Sequence, residues 1–240
     1  MIKKDISERE LYNRTMQFLG TNLESINAVN PNIVNYIKEN WREQLNVDVL
    51  LEAYDEMDAL DENNNVYDAF LGILKEKFDI NQDIIEVGGG LFPALSKRIA
   101  SSQTAGTITV YDPNLVLKKY PYENLVLKKE NFQKNTHLGN AKLLVGISPC
   151  HSVDLILERA SAEDLDFMVK VCPCELPFTT DYDYMIKAMF ARYLIRKNKE
   201  FKQSGGPGFE VTYLDQKYND NSPIIYTKKR LVNSHCTNNL

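Results

Sequence analysis

The chain is poor in the residues that would point quickly to a special class. Its 240 residues include 4 cysteines, 1 tryptophan and 3 histidines. The cysteines are Cys150, Cys172, Cys174 and Cys236, so the first 149 positions hold none. That distribution excludes a small disulfide scaffold and fits a reduced, intracellular and hence cytoplasmic protein. No run of 18 apolar residues exists, so no membrane span is expected. The opening MIKKDISERELYNRT has two lysines but no apolar core, which is not the pattern of a signal peptide. Repeats and low-complexity tracts are also missing, which excludes solenoids and long disordered segments.

What is present is ordinary for a globular chain. Hydrophobic types make up 43% and charged types 25%, enough for one sizeable core or one domain with an appendage. The formal net charge is −5, which argues against broad binding of nucleic acid. The charge is uneven. Residues 43–83 hold twelve acidic and two basic side chains, read as a solvated outer face. Residues 114–142 hold six lysines and two acids. An RNA surface is the disfavoured reading there, because arginine is scarce and no nucleic-acid module is visible. A solvated edge strand whose lysines discourage edge pairing is preferred.

Two rhythms divide the chain. Residues 1–78 read as helices: Ser7 with Glu10 resembles a capping box, and Asn30-Pro31 resembles a helix start before Ile33, Val34, Ile37 and Trp41. This N-terminal extension is expected to cap a pocket or to form a homodimer face. Residues 79–232 alternate strand and helix, and 233–240 form a polar tail containing His235 and Cys236. Strands are expected in DIIEV, GTITVYD, NLVLKKE, AKLLVGI and LDFMVKV. Helices are expected in LFPALSKRIAS, HSVDLILERAS and DYDYMIKAMFARYLIRKNKEF. The final FEVTYLDQ and IIYTKKRLV have no helix between them and should pair antiparallel. The expected fold is α/β: a mostly parallel sheet of seven strands, helices on both faces, a terminal antiparallel pair and an N-terminal helical extension.

In such sheets, ligands sit beyond the carboxyl ends of the strands, where the strand order reverses. The sequence places three motifs there. The first is Glu86-Val87-Gly88-Gly89-Gly90, where glycines permit a sharp turn and close approach of a ligand. The second is Asp112, which ends the second strand 22 residues after Gly90 and suits the two hydroxyls of a ribose. A turn-capping aspartate before Pro113 is the alternative. No GKS or GKT follows the glycines, which excludes a Walker loop.

The EVGGG loop, the VYD strand end and the closing strand pair resemble a class I S-adenosylmethionine-dependent methyltransferase over residues 66–232. The resemblance implies S-adenosylmethionine as cofactor and methyl transfer to a small or medium acceptor. It implies that Glu86 orients the loop or meets the methionyl ammonium, that Gly88, Gly89 and Gly90 line the methionine portion, and that Asp112 holds the ribose. Glu130, Asn131 and Phe132 would border the adenine, and Tyr67 and Ser148 would complete the donor side. Leu91-Phe92-Pro93 stands where the family often has a third small residue. A dinucleotide needs an open helix start for its pyrophosphate, whereas S-adenosylmethionine has no phosphate, so the methyl donor fits better than NAD.

The third motif is Ser148-Pro149-Cys150-His151 after the fourth strand, matched by Cys172-Pro173-Cys174-Glu175 after the fifth. Cys150, His151 and Cys174 are the candidate catalytic groups, since a neighbouring cation can activate a thiol. The paired cysteines resemble those of RNA cytosine-C5 methyltransferases, although Ser148 replaces the usual aspartate. Zinc held by Cys150, His151, Cys172 and Cys174 is a second reading, with spacings tighter than common knuckles, so no metal is assigned. Buried cysteines forming a pocket wall are the third and preferred one. Three other functions compete: a donor-binding protein without methyl transfer, an aminopropyl-transfer synthase using the same donor, and a nicotinamide-dependent oxidoreductase. A small-molecule acceptor is the expected partner.

Overall fold

The computed structural model describes residues 66–90, 93–115, 120–149, 151–172, 183–215 and 222–227, with backbone alone at 183–187. All belong to the second of two units, which begins at Asn64. The expected N-terminal helices with Trp41, the Leu91-Phe92 pair, Cys150, Cys174 and the polar tail lie outside the described residues.

The elements follow as α1 (Val66–Lys77), β1 (Ile84–Val87), α2 (Ala94–Ser102), β2 (Ile108–Tyr111), β3 (Leu125–Lys128) and β4 (Leu143–Ile147). Then come α3 (Val153–Ala162), β5 (Asp166–Lys170), α4 (Asp183–Gln203), β6 (Phe209–Tyr213) and β7 (Pro223–Thr227). One sheet of seven strands runs in the order β3-β2-β1-β4-β5-β7-β6. The first five strands are parallel. Strand β7 runs antiparallel to both β5 and β6. Each expected strand and the antiparallel closing pair are therefore present.

The sequence dictates this layering. The central strands β1 (IIEV) and β5 (DFMVK) are buried at every position but Asp166, as strands covered on both faces must be. Edge strand β3 (LVLK) alternates half-buried and exposed residues and ends in a lysine. Alternate residues of β1 serve opposite faces. Ile84 joins Leu74 of α1, Ile99 of α2, Ile108 and Val145 in one core. Ile85 joins Ile156 of α3, Phe190 of α4, Leu144 and Phe167 in the other. A one-residue slip of β1 would exchange the two sets, so its register is strongly held.

The order of strands reverses between β1 and β4. Successive crossovers go one way from β1 to β3 and the other way from β4 onward. The chain leaving β1 and the chain leaving β4 thus lead to helices on opposite faces of the sheet, α2 and α3, which marks the switch point at its carboxyl edge. Among the described residues, no helix is long and apolar enough to cross a membrane.

Candidate functional site

Three glycines follow β1, and their surroundings differ. Gly88 has φ +77°, and a Cβ there would lie 2.9 Å from Pro149 Cα. Gly89 would place a Cβ 2.4 Å from Val110 Cγ1. Gly90 has φ +70°, yet among the described residues a Cβ there would meet nothing within 4 Å. The first two glycines are therefore packing requirements. The third keeps its conformation next to open space, which is where a ligand can approach the backbone.

Asp112 fixes that arrangement. It is 8% exposed and follows β2. Its Oδ2 accepts the Gly90 N–H at 2.9 Å, and its Oδ1 accepts the Asn114 N–H at 2.7 Å. Its own N–H donates to the Lys128 carbonyl at 3.2 Å. Asp112 thus joins the exits of β1, β2 and β3. Each carboxylate oxygen has a second lone pair, so two hydroxyls can still be accepted. The turn-capping reading before Pro113 holds, through Asn114, and does not exclude the ribose reading.

Glu86 lies beneath the loop and is 2% exposed. Its Oε2 accepts the Ser96 N–H at 3.1 Å and the Ser96 hydroxyl. Ser96 is the third residue of α2, so Glu86 fills one of the open N–H positions at that helix start. Burial raises its pKa to about 7 against the lowering effect of both Ser96 bonds, and nearby Asp112 raises it further. Glu86 thereby ties the end of β1 to the start of α2. The sequence offered no sign of Ser96 as its partner beyond a hydroxyl residue in the first turn of the following helix.

The exits of β1 and β4 touch. A Cβ on Gly146 would lie 2.8 Å from the Val87 carbonyl oxygen and 3.1 Å from Pro149 Cγ. The SPCH segment is therefore brought against the glycine loop. Ser148 has φ +53°, is half-buried, and donates its N–H to the Lys170 carbonyl at 2.9 Å. His151 has φ +62° and is exposed, in a turn closed by the Ser152 N–H on the Pro149 carbonyl at 2.8 Å. Two non-glycine residues held left-handed within four positions store strain of about 1–2 kcal/mol each. The other half of the motif ends at half-buried Cys172, just beyond buried Lys170. With Cys150 and Cys174 undescribed, among the described residues no group of three His, Cys, Asp or Glu side chains is placed to hold a metal.

The remaining candidates lie around this edge. Glu130 and Asn131 are exposed just after β3, whereas Phe132 is buried. Phe132 meets Tyr111 edge to face at 5.8 Å. Burial, with the Glu130 carboxylate nearby, pushes the Tyr111 hydroxyl above its usual pKa. Tyr67, in the first turn of α1, lies under the Arg98 guanidinium at 5.4 Å, and Arg98 pairs with Asp68 at 2.8 Å. That cluster ties α1 to α2 and holds Tyr67 half-buried.

No family model and no curated protein matches the chain. Solved structures do. The chain is 15% identical to human N-acetylserotonin methyltransferase in complex with SAM, over 82% of this chain and 64% of that one, with a TM-score of 0.47. It is 10% identical to magnesium protoporphyrin IX methyltransferase of Synechocystis PCC 6803 with bound SAH, over 82% and 94%, with a TM-score of 0.45. It is 14% identical to a chain of a fibrillarin/Nop5p complex, over 66% and 79%, with a TM-score of 0.44. Each is a likeness of chain path, and the chain spans under two thirds of the human enzyme. The fold rests instead on the strand order, the switch point between β1 and β4, and the antiparallel closing pair: it is the Rossmann-like fold of class I S-adenosylmethionine-dependent methyltransferases.

Proposed function

We propose that this domain binds S-adenosylmethionine and transfers its methyl group to a small-molecule acceptor. The observation that carries the reading is the pair of buried carboxylates around the glycine loop. Glu86 already occupies the Ser96 N–H at the start of α2, and Asp112 holds the Gly90 N–H. A dinucleotide would bring a pyrophosphate to that helix start, where Glu86 already takes the Ser96 N–H and, once ionised above about pH 7, repels phosphate. A nucleoside without phosphate but with two ribose hydroxyls meets no such repulsion and finds an acceptor in Asp112. This favours the methyl donor over the nicotinamide alternative.

The residues fit that ligand. Gly90 faces open space next to the Asp112 carboxylate, so ribose and the adjoining chain can pass close to the backbone. When bound, the donor supplies an electrophilic methyl on a positive sulfur. The protein's part is to hold the ribose at Asp112, to line the methionine portion with Gly88–Gly90, and to present the acceptor from the Ser148–His151 side. Methyl transfer of this kind depends mainly on alignment and exclusion of water. His151 is proposed on the acceptor side because Pro149 seats its segment against Gly88; Cys150 and Cys174, outside the described residues, join that proposal from the sequence alone. The acceptor's identity does not follow from the fold.

Calorimetry with S-adenosylmethionine, S-adenosylhomocysteine and NAD tests the reading. Saturable binding of both sulfur compounds and none of NAD is expected. A folded protein that binds neither sulfur compound overturns the proposal.

A further inference from the structure

The connection from β3 to β4 carries the chain from the edge of the sheet to its centre without a helix. Residues 129–142 contain turns but no helix, so their backbone groups need partners from elsewhere. Arg159 of α3 supplies them. Its side chain is nearly buried, at 9% exposure. Its Nη1 donates to the Lys134 carbonyl, and its Nη2 donates to the Thr136 carbonyl at 3.0 Å. Glu163, one helical turn on, accepts from the same Nη2 at 3.4 Å. A buried charge on an otherwise apolar helix face is costly, so its two carbonyl contacts point to a placement with a purpose.

The segment so anchored leads back to the site. It leaves β3 at Lys128, whose carbonyl accepts the Asp112 N–H. It then passes through Phe132, which is 7% exposed and packed on Tyr111, the residue before Asp112. Only Gln133 separates Phe132 from the first anchored carbonyl. The side of the base follows from the resemblance that underlies the proposed function. With the ribose at Asp112 and the sulfur side directed toward Gly90 and Pro149, that reading puts the base on the β3 side, against residues 130–132.

We infer that Arg159 is a positioning residue that sets the base-side wall of the nucleoside site by holding Phe132 against Tyr111. The inference rests on the proposed S-adenosylmethionine reading. The guanidinium matters for its fork, since a lysine can reach only one of the two carbonyls. Calorimetry with S-adenosylhomocysteine on wild type, R159M, F132A and the double variant is the test. R159M should weaken binding roughly tenfold, the scale of one charge-assisted hydrogen bond. Adenosine alone should show the same loss, because the effect concerns the base side. In the F132A background, R159M should add little further loss, since both act through one wall. A purely structural role would lower stability while the two binding losses multiplied. Folded R159M with wild-type affinity, or losses that multiply, overturns the inference. R159K serves in place of R159M if the latter does not fold, with an intermediate loss expected and an unchanged affinity counting against the inference. Wild type that fails to bind S-adenosylhomocysteine overturns the functional reading and this inference with it. A binding wild type with multiplying losses overturns this inference alone.

Discussion

Replacing Gly88 and Gly90 by alanine, one at a time, should give opposite outcomes although the residues are two apart. Both sit at positive φ, +77° and +70°, so an added side chain strains each backbone by about 1–2 kcal/mol. The surroundings then separate them. At Gly88 the new Cβ would stand 2.9 Å from Pro149 Cα and 3.0 Å from its Cβ. Backbone and a proline ring cannot rotate away, so overpacking adds about 1–3 kcal/mol. Gly88→Ala should therefore cost roughly 2–5 kcal/mol of stability, from these two contributions. At Gly90, among the described residues, nothing lies within 4 Å of the new Cβ, so the strain is what remains. That methyl group enters the space where the methionine portion is proposed to lie, and affinity for S-adenosylhomocysteine should fall about 10- to 100-fold.

Urea denaturation followed by circular dichroism reads the first effect, and calorimetry at a temperature where both variants are folded reads the second. A change in midpoint at constant slope identifies a true stability loss. Three results would refute the reasoning. Gly88→Ala could be as stable as wild type, which would mean that the β1 and β4 exits do not touch. Gly90→Ala could be the less stable of the two. Gly90→Ala could also bind with wild-type affinity, which would remove the ligand from that space.

The seven strands were legible because their signals are local. Short apolar runs such as IIEV and LLVGI end at glycine or proline, and the missing helix between the last two strands announces an antiparallel pair. Glycine loop and Asp112 were legible for the same reason: backbone chemistry restricts the residues that can serve at a strand end. Contacts between distant segments were not. The bond from Ser96 to Glu86 spans ten residues, and Arg159 reaches 23 residues back to Thr136. In sequence, Arg159 is one more charged residue on an amphipathic helix. Only the fold shows that it is buried and that the connection it faces lacks a helix. The reason for Gly88 was equally hidden, since the atom that excludes a side chain belongs to Pro149, 61 positions on.

Three further changes probe the site and its frame. Asp112→Asn should abolish measurable binding of S-adenosylhomocysteine by calorimetry, because the amide cannot accept at both of the positions now bonded to Gly90 and Asn114. Retained affinity would remove Asp112 from the ribose. Gly106→Ala is a control away from the site: its Cβ would lie 2.4 Å from the Gln82 carbonyl carbon, so stability should fall by several kcal/mol, about the sum of strain and overpacking, with affinity unchanged in the folded fraction. Glu86→Gln tests the buried carboxyl through pH. The folded pKa of about 7 lies above the ordinary 4.5, so between those values the folded state binds more protons than the unfolded one. Stability from this group is complete below about pH 4.5 and is lost as pH rises through about 7. An upward shift of this size corresponds to a few kcal/mol, taking about 1.4 kcal/mol per pKa unit. Glutamine can still accept from Ser96 but does not titrate in this range. Denaturation at pH 5 and pH 8 should therefore show wild type losing more stability than Glu86→Gln. An equal loss in both proteins would mean that Glu86 is already ionised at pH 5, held so by its two bonds from Ser96.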